Sequence, residues 1–572
     1  MKASDYIARY LEHRKVTHVF EMVGGMITHL LDSISQRKAI RIVSVHHEQA
    51  AAFAADAYGR ITGIPGVAMA TSGPGATNLL TGIGSCYFDS SPTVFITGQV
   101  NRHEMKGSRE IRQLGFQETD IVSMARPITK AAWQITDPKK LPEMLADAFD
   151  LAMAGRPGPV LVDIPMDVQR AEIPEHWNDR LIGPTGPGVD ASTVRLLLKT
   201  LKSARSPLIL AGGGLRSARM VDAFRKILER LRLPVVHSLM GCDILPTNHP
   251  SRVGLIGSYG NRWANLAIGK CDVLLVLGSR LDVRQTGADV DSFKNGRQIF
   301  HVDCEPGEMN NRIKDCIAIQ SGLDQFLAAL DRELSENISA PPAWTKEINS
   351  LRDQWSDTEE LPNCQGINPN KFMHELSHHG EASSGYIVDV GQHQMWAAQS
   401  LDIGPHQRFL TSGGMGSMGF ALPAAIGAAM ANTPSVYTVI AGDGGFQCNI
   451  HELQTVIRNQ LPLKIVVMDN GCHGMVRQFQ ESYFDKRYQS TLDGYSAPDF
   501  TKVALAYGIK AQQVADERAL ADSLAWLFKN SAEPALLHVK LDTMTNAYPK
   551  LAFGRPITDM EPFFTPQGME GT

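Results

Sequence analysis

Short apolar runs recur along the chain, and most are followed by a glycine-containing turn and a stretch of helical character. The runs stand at 42–45, 66–70, 93–97, 160–164, 207–210, 273–277, 298–302, 385–388, 435–440, 464–468 and 535–539. Helical stretches such as 48–60 and 141–153 alternate with them. Continuous apolar runs of this length are typical of strands that are buried on both faces of a parallel sheet.

The alternation falls into three blocks, which predict an α/β protein with three doubly wound parallel-sheet domains. We place the domains at 1–180, 192–340 and 365–545, and a C-terminal tail at 546–572. The Gly/Pro-rich segment 182–192 and the polar segment 340–364 are interpreted as connectors. The tail has few apolar pairs, so it either covers a site or is loosely held.

Composition narrows the class of protein. Hydrophobic residues make up 43% of the 572 residues, and 55 basic against 60 acidic residues give a net charge of −5, which is not typical of disorder or of nucleic-acid binding. No apolar run reaches the ~18 residues of a membrane span, and the N-terminus does not look like a signal peptide. Eight scattered cysteines without a CxxC pair predict reduced thiols and a cytoplasmic protein.

A candidate metal and phosphate site stands in the third block. Gly442, Asp443, Gly444 and Gly445 follow one apolar run, and Asn470 follows the next, with 25 residues between Gly444 and Asn470. Because neighbouring parallel strands end at one sheet edge, these residues should lie together. A carboxylate, an amide oxygen and a backbone carbonyl suit Mg²⁺, and the glycines let backbone N–H groups approach phosphate. A tight turn without a ligand is the alternative.

This spacing resembles the motif of thiamine diphosphate (ThDP) enzymes, in which GDG is followed about 25 residues later by two asparagines. Asp469 replaces the first asparagine here, and Asn470 keeps the second. The resemblance implies that Mg²⁺ is held by Asp443, Asn470 and the backbone oxygen of Cys472. It also implies ThDP contacts from Val390, Gln392, His393, Gly416, Met418, Gly442, Gly444, Gly445 and Met475. Met418 would prop the cofactor in a bent shape; the alternative is that it fills a gap in the core.

The first block supplies Glu48, followed by an apolar run at 50–55 and by TSGPGATN at 71–78. In ThDP enzymes such a glutamate hydrogen-bonds N1′ of the aminopyrimidine and favours the tautomer that takes the C2 proton. The resemblance implies this role for Glu48 and cofactor contacts from Thr71, Gly75 and Asn78. The alternative is a first-turn helix acid. Because the family forms its site between two chains, the resemblance also implies a homodimer or homotetramer.

The middle block resembles a flavin domain. Its three consecutive glycines do not form GxGxxG and carry little weight alone. The segments 257–265 and 278–287, however, resemble the FAD-binding domain of acetolactate synthases, and the resemblance extends from residue 19 to about 479. It implies FAD contacts from Arg156, Gly212, Gly213, Gly214, Ser238, Gly257, Arg280, Asp282, Arg284 and Asp303. We expect Arg280 and Arg284 to lie along a strand and to pair with flavin phosphates or a substrate carboxylate; the alternative is two surface arginines.

The chain departs from acetolactate synthases near the expected acceptor channel. The family's usual residues are retained at Phe116, Gln117, Glu118, Arg284 and Met475 and replaced at Asn101, Met166, Ser258, Tyr259, Val283 and Phe479. The family usually has lysine in place of Met166, and tryptophan in place of Phe479. Losing a cation weakens carboxylate recognition, and a smaller ring enlarges a pocket. These changes suggest a bulkier or less anionic acceptor than 2-ketobutyrate, as in acetyltransferases of the yersiniose type; neutral drift is the alternative.

The resemblance thus implies a ThDP-dependent carboligase with bound, non-redox FAD. It would decarboxylate pyruvate and transfer the two-carbon unit to a second carbonyl compound, which is a 2-keto acid or else a ketone or nucleotide-linked keto-sugar. The residues expected at the reaction are Glu48, Phe116, Gln117 and Met418, with Gln117, Met166, Arg284 and Phe479 at the substrate. A flavin-reducing pyruvate oxidase and a non-enzymatic protein that kept the fold are the remaining alternatives.

Overall fold

The computed structural model describes residues 1–175, 188–432 and 435–569. Three six-stranded parallel sheets alternate with helices, which confirms the predicted fold class. The predicted end of the first domain, at 180, and most of the predicted connector 182–192 lie outside the described residues. Within the described part of the chain, no helix is both long and apolar enough to cross a membrane.

The first sheet has the strand order β2-β1-β3-β4-β6-β5. Its strands are β1 (His18–Met22), β2 (Arg41–Ser44), β3 (Gly66–Ala70), β4 (Thr93–Gln99), β5 (Ala131–Gln134) and β6 (Pro159–Pro165). Its helices are α1 (Ala3–His13), α2 (Thr28–Ser35), α3 (Glu48–Thr62), α4 (Pro74–Asn78), α5 (Leu80–Phe88), α6 (Ile121–Ala125), α7 (Leu141–Met153) and α8 (Met166–Arg170). Strands β3, β4 and β6 are buried along their whole length, as continuous apolar runs require.

The second sheet has the order β10-β9-β7-β11-β12-β13, and β8 pairs with β14 outside it. The strands are β7 (Pro207–Ala211), β8 (Leu231–Arg232), β9 (Val235–His237), β10 (Arg252–Leu255), β11 (Val273–Leu277), β12 (Gln298–Asp303), β13 (Ile317–Gln320) and β14 (Ile338–Ser339). The helices are α9 (Ala191–Ser203), α10 (Gly214–Ser217), α11 (Val221–Leu228), α12 (Arg262–Lys270), α13 (Val283–Thr286), α14 (Val290–Lys294), α15 (Leu323–Glu333) and α16 (Pro342–Gln354). Numbered within the sheet, the order is 3-2-1-4-5-6, the arrangement of dinucleotide-binding folds.

The third sheet has the order β16-β15-β17-β18-β20-β19. The strands are β15 (Gly385–Val388), β16 (Arg408–Thr411), β17 (Tyr437–Gly442), β18 (Lys464–Asp469), β19 (Lys510–Val514) and β20 (Ala535–Lys540), with a separate pair of β21 (Lys550–Leu551) and β22 (Met560–Glu561). The helices are α17 (Pro369–His379), α18 (Gln392–Ser400), α19 (Ala421–Ala431), α20 (Asp443–Cys448), α21 (Leu453–Arg458), α22 (Gly474–Tyr483), α23 (Phe500–Ala506) and α24 (Leu520–Phe528). Within the sheet the order is 2-1-3-4-6-5, the same as in the first sheet.

The first and third domains share one hydrophobic core, which centres on helices α3 and α19. The helices pack so closely that a side chain on Gly427 would meet the carbonyl oxygen of Ala54 at 2.0 Å. Because Glu48 begins α3, this packing sets the position of the acid relative to the third domain.

One sequence interpretation was wrong, and one of the two alternatives for the tail does not hold. The polar segment 340–364 is not only a connector, since it contains α16, whose Trp344 and Ile348 are buried at helical spacing. The described part of the tail is not loose, because Arg262 donates to the backbone oxygens of Met560 and Glu561 at 3.3 and 3.0 Å. The tail also donates from the Leu551 amide to the oxygen of Ser258 at 2.7 Å. The described part of the tail is therefore hydrogen-bonded to the middle domain.

Candidate active site

The loops that hold most of the expected ThDP and metal contacts all leave the carboxyl ends of strands in the third sheet. Strand β15 ends before 389–393, β16 before 412–419, β17 before 443–445 and β18 before 470–475. These strands are neighbours in the sheet, so their loops meet at one edge, where ligands bind in open α/β sheets.

Asp389 ties three of these loops together, and sequence reasoning missed it. Its Oδ1 accepts the amides of Val390 (2.8 Å) and Gly419 (2.9 Å), and its Oδ2 accepts the amide of Ala421 at 2.9 Å. A side chain on Gly445 would lie 2.7 Å from Oδ1, so the carboxylate also underlies the third loop. Burial raises the pKa of Asp389 to about 6, and these three bonds oppose the shift. The only signal in the sequence was an acid directly after a buried strand.

Two of the expected metal ligands directly follow neighbouring strands. Asp443 and Asn470 follow the paired strands β17 and β18, and both side chains are buried. The Asn470 amide nitrogen donates to Gln392 Oε1 at 3.0 Å, which fixes how its amide group is turned. Burial raises the pKa of Asp443 to about 7, and a hydrogen bond from Tyr495 opposes the shift. Cys472 is buried, and its thiol points to the carbonyl of Thr543 at 3.6 Å.

Asp469, where the family's motif has asparagine, is engaged away from the metal position. Its Oδ2 lies 2.7 Å from His538 Nε2 and 2.6 Å from Lys540 Nζ, and its Oδ1 accepts the Gly471 amide at 2.8 Å. Burial opposes ionisation, but these hydrogen bonds lower the pKa of Asp469 to about 2. The carboxylate therefore stabilises the turn that carries Asn470.

Gly444, one of the expected diphosphate contacts, has two side chains close to it. A side chain there would lie 2.7 Å from the ring of His473 and 3.5 Å from Cε of Met418, so the His473 ring would have to move. Gly416 has φ +70° and faces Val390.

His393 is the other ring at this edge. It is packed against Gly391 and Gly442, and burial lowers its pKa to about 3, which keeps it neutral. Met475 is partly buried beside the core under this edge.

Glu48 is the buried first residue of α3 and is held by helix α4, which follows β3. Asn78 donates to its Oε2 at 2.9 Å, and Gly75 lies beside its Oε1. The Thr71 hydroxyl accepts a hydrogen bond from the Met26 amide at 3.2 Å, which connects the segment after β3 to the segment after β1.

The start of α3 also meets the third domain. Asn449 donates to Gln49 at 3.1 Å, and Glu452 accepts the amide of His46 at 2.8 Å. These contacts hold the acid next to the domain that carries the metal candidates.

Gln117 and Phe116 lie near the end of the long segment between β4 and α6. Gln117 has φ +65° and packs against Gly73, so it borders the start of α4, which holds Glu48. Phe116 is 80% exposed. The substrate candidates Met166 and Phe479 begin α8 in the first domain and lie in α22 of the third, respectively.

A cavity of about 730 Å³ lies between the three domains. Eight of the expected FAD contacts line it: Arg156, Gly213, Gly214, Ser238, Arg280, Asp282, Arg284 and Asp303. Gly212 and Gly257 do not line the cavity themselves. A side chain on Gly212 would lie 2.1 Å from the backbone oxygen of Gly278, and one on Gly257 would lie 2.3 Å from that of Arg284. The expectation that Arg280 and Arg284 lie along a strand was wrong, because Arg280 is in a loop and Arg284 is in α13.

Both arginine and aspartate side chains line the cavity. It opens at the carboxyl edge of the second sheet, and backbone glycines border it next to arginines. Asp303 ends β12, and burial raises its pKa. Arg156 pairs with Glu308 at 2.7 Å, and Arg280 pairs with Asp282 at 3.0 Å.

Three family models match the chain. They are the N-terminal TPP binding domain of thiamine pyrophosphate enzymes at residues 1–124, the central domain at 194–330 and the C-terminal TPP binding domain at 389–539. TPP, thiamine pyrophosphate, is another name for ThDP.

The chain is similar to known proteins along nearly all of its length. Acetolactate synthase isozyme 2 large subunit of Escherichia coli (strain K12) is 37% identical over 562 residues, which cover 98% of this chain and 99% of that protein. Acetolactate synthase of Arthrospira platensis is 36% identical over 569 residues, covering 96% of each chain. A probable acetolactate synthase large subunit of Methanococcus aeolicus is 35% identical, covering 95% of this chain and 92% of that protein.

Proposed function

We propose a function from one premise: this chain belongs to the thiamine pyrophosphate enzymes, in the acetolactate-synthase-like family. We propose that it decarboxylates pyruvate and joins the two-carbon unit to a second carbonyl compound. The observation that carries the proposal is the meeting of four loops, including those of Asp443 and Asn470, at one edge of the third sheet.

The residues at this edge fit ThDP with Mg²⁺. Asp443, Asn470 and the backbone oxygen of Cys472 would hold the cation with the hard oxygen ligands that Mg²⁺ prefers. Gly444 and Gly445 have no side chains, so their backbone N–H groups would be free to donate to the diphosphate at the N-terminus of α20. When bound, ThDP supplies the electron sink for loss of CO₂ and for carbon–carbon bond formation.

The chain's own residues would manage proton position and orientation. Asn78 holds one carboxylate oxygen of Glu48, and the other oxygen, beside Gly75, would be the one to hold a proton toward the aminopyrimidine. Met418 would support the cofactor above Gly444. Gln117, held in a left-handed conformation against Gly73, would orient the reacting carbonyl group.

The cavity between the domains supports the proposal that the chain binds FAD. Its volume of about 730 Å³ is within the usual range for ligand pockets, roughly 300–1,000 Å³. The second sheet has the strand order of dinucleotide-binding folds, and arginines stand at its carboxyl edge. We propose that the flavin is a structural cofactor and is not turned over.

The acceptor we propose first is a 2-keto acid, and a specific observation favours a second candidate, a ketone or nucleotide-linked keto-sugar. Next to Met166, which offers no cation, the neighbouring arginines are already engaged. Arg102 pairs with Asp167 at 2.7 Å, and Arg170 donates to Asn101 at 2.9 Å. Asp167 neutralises Arg102, whereas the partner of Arg170 is uncharged, so Arg170 keeps its charge. A carboxylate would therefore meet less positive charge here than beside the family's usual lysine.

The ring of Phe479 adds to the argument for this second acceptor. It packs against Tyr483 and Phe484, with ring centroids at 4.8 and 5.8 Å. Such an aromatic face suits a ring-bearing or apolar acceptor better than a small anionic one.

We propose that two or more copies of the chain complete the site. Large apolar side chains stand exposed on the loops at the carboxyl edges of the first and third sheets or on the helix that follows: Val23 63%, Phe116 80%, Met415 43%, Met418 37% and Val476 53%. Exposed apolar groups of this kind mark surfaces that another molecule covers. A second copy would cover them and bring a first domain against a third.

The test is NMR product analysis of labelled pyruvate with ThDP, Mg²⁺ and FAD and without another acceptor. Rapid conversion to acetolactate would support the keto-acid synthase. Slow turnover that releases acetaldehyde or acetoin would support a different acceptor, and ketones and nucleotide keto-sugars would then be added. Anaerobic bleaching of the flavin at the rate of turnover would instead indicate a pyruvate oxidase. No decarboxylation would contradict the proposal.

A further inference from the structure

Tyr495 reaches the candidate metal site from a segment that sequence reasoning left without a role. The segment 484–499 joins α22 to α23, and Tyr495 follows Gly494, which has φ +80°. The Tyr495 hydroxyl donates to Asp443 Oδ2 at 2.8 Å.

The same tyrosine also helps to close the diphosphate loop. Its ring meets the ring of His473 edge-on, with centroids 4.5 Å apart. The His473 ring in turn occupies the space in which a side chain on Gly444 would lie. The rings of Tyr495 and His473 therefore pack together next to the GDG segment. His473 lies beside Gly444, and the Tyr495 hydroxyl contacts Asp443.

The segment is anchored firmly enough to hold this position. Gln480 of α22 donates to the backbone oxygen of Gln489 at 2.9 Å, and Thr491 donates to the side chain of Gln480. The amide of His473 donates to the backbone oxygen of Thr491 at 3.2 Å. Both ends of α22 thus hold the segment over the turn.

A carboxylate that binds a cation through one oxygen has a second oxygen whose direction must be set. Hydrogen bonds to a metal ligand orient it, and their loss commonly lowers metal affinity. The bond from Tyr495 engages Oδ2 of Asp443 and so restricts how the carboxylate can turn.

We propose that Tyr495 is a positioning residue for the Mg²⁺–diphosphate site, acting through Asp443. The proposal rests on the proposed function, since it assumes that ThDP and Mg²⁺ bind at this edge. A competing arrangement, in which the hydroxyl blocks the oxygen that the cation needs, predicts an effect of the opposite sign.

The experiment compares wild-type protein with Tyr495→Phe, using the full chain. The Kd of Mg²⁺ at saturating ThDP is measured by quenching of intrinsic fluorescence, and the Mg²⁺ dependence of pyruvate decarboxylation is measured in parallel. We expect Tyr495→Phe to weaken Mg²⁺ binding by about 10–100-fold. At saturating Mg²⁺ and ThDP, kcat should stay close to the wild-type value.

Tyr488→Phe is the matched control, because it lies in the same segment and its buried hydroxyl has no hydrogen-bond partner among the described residues. It should leave Mg²⁺ affinity unchanged. Equal thermal midpoints of the metal-free proteins would exclude misfolding as the cause.

Unchanged or tighter Mg²⁺ binding by Tyr495→Phe would overturn the proposal, as would equal weakening by Tyr488→Phe. Failure of the wild-type chain to bind ThDP with Mg²⁺ would overturn the proposed function itself, and the two failures are distinguishable by that wild-type measurement.

Discussion

Arg60 and Asp89 form an ion pair at 3.0 Å, and the pair belongs both to the large cavity and to a candidate ThDP loop. Both residues line the cavity. Asp89 also accepts the amides of Gly413 and Gly414 at 3.2 and 2.6 Å, and Arg60 donates to the backbone oxygen of Thr411 at 2.9 Å. Sequence reasoning missed this pair, which physically connects the two proposed cofactor sites.

We expect FAD and ThDP to strengthen each other's binding through this pair, since both would order the same loop. In the wild-type protein, saturating FAD should lower the Kd of ThDP by roughly 5–150-fold, the usual size of coupling between sites. Asp89→Asn should bring that factor close to one. The measurement is ThDP titration by intrinsic fluorescence with and without FAD.

The control for this coupling is Glu308→Gln. Glu308 pairs with Arg156 at the cavity. It should alter FAD affinity and keep the coupling. If Asp89→Asn bound FAD and retained full coupling, the connection through Asp89 would be refuted.

Glu48→Gln should slow decarboxylation of pyruvate by about 10²–10⁴-fold, the usual contribution of a positioned acid or base. The amide keeps the shape of the side chain, so ThDP affinity should change far less than kcat. CO₂ release and ThDP titration are measured together. Glu172→Gln removes a carboxylate that is 80% exposed in the same domain and should leave both quantities unchanged. A Glu48→Gln protein as active as wild type would exclude the proposed role of the acid.

Gly212→Ala should destabilise the middle domain and reduce retained flavin. The added carbon would lie 2.1 Å from the backbone oxygen of Gly278, so two strand ends must separate. Overpacking of this kind costs about 1–3 kcal/mol, and more where backbone must move. Thermal unfolding and the flavin released on denaturation are measured. Gly307→Ala is the control, because no atom lies within 4 Å of the added carbon; equal losses in both variants would contradict the explanation.

His374 should make stability depend on pH. Burial opposes its charge, but hydrogen bonds to Asp357 and Asp402, at 2.9 and 2.8 Å, raise its pKa to about 10. A raised pKa contributes stability that is complete below the unfolded-state pKa of about 6.5 and is lost as pH rises through the folded-state pKa. Because the ring is 36% exposed, we expect at most roughly 1 kcal/mol.

The measurement is the thermal midpoint of wild type and His374→Gln from pH 6 to pH 10. The gap between the proteins should be greatest at pH 6 and shrink steadily toward pH 10. A gap that grows with pH would show that the sign of the shift is wrong.

Local sequence pattern was sufficient to predict the fold class. Runs such as 66–70 and 273–277 are continuously apolar because their strands are buried on both faces, and each is a strand with those bounds. Edge strands such as β5 and β19 were not predicted, since half-buried strands carry polar residues and lack such a run. Helix α16 was missed for a related reason, because few apolar positions mark it within polar surroundings.

The residues of the candidate site were predictable where they come directly after a strand in the sequence. Asp443 and Asn470 stand directly after apolar runs, and paired strands bring such residues to one edge. Tyr495 was not predictable in this way. It lies 52 residues from Asp443 in a segment without regular structure, and nothing local indicates where such a segment folds back.

The sequence by itself determined the strands, the glycine turns at their ends and the kinds of side chain placed there, because burial and turn geometry act over a few neighbouring residues. Only the tertiary structure decided which turns meet. The matching strand order of the first and third sheets, the cavity between three domains and the Asp89–Gly414 contact all join residues far apart in the chain. Such contacts depend on how whole sheets and helices pack, which no local pattern encodes.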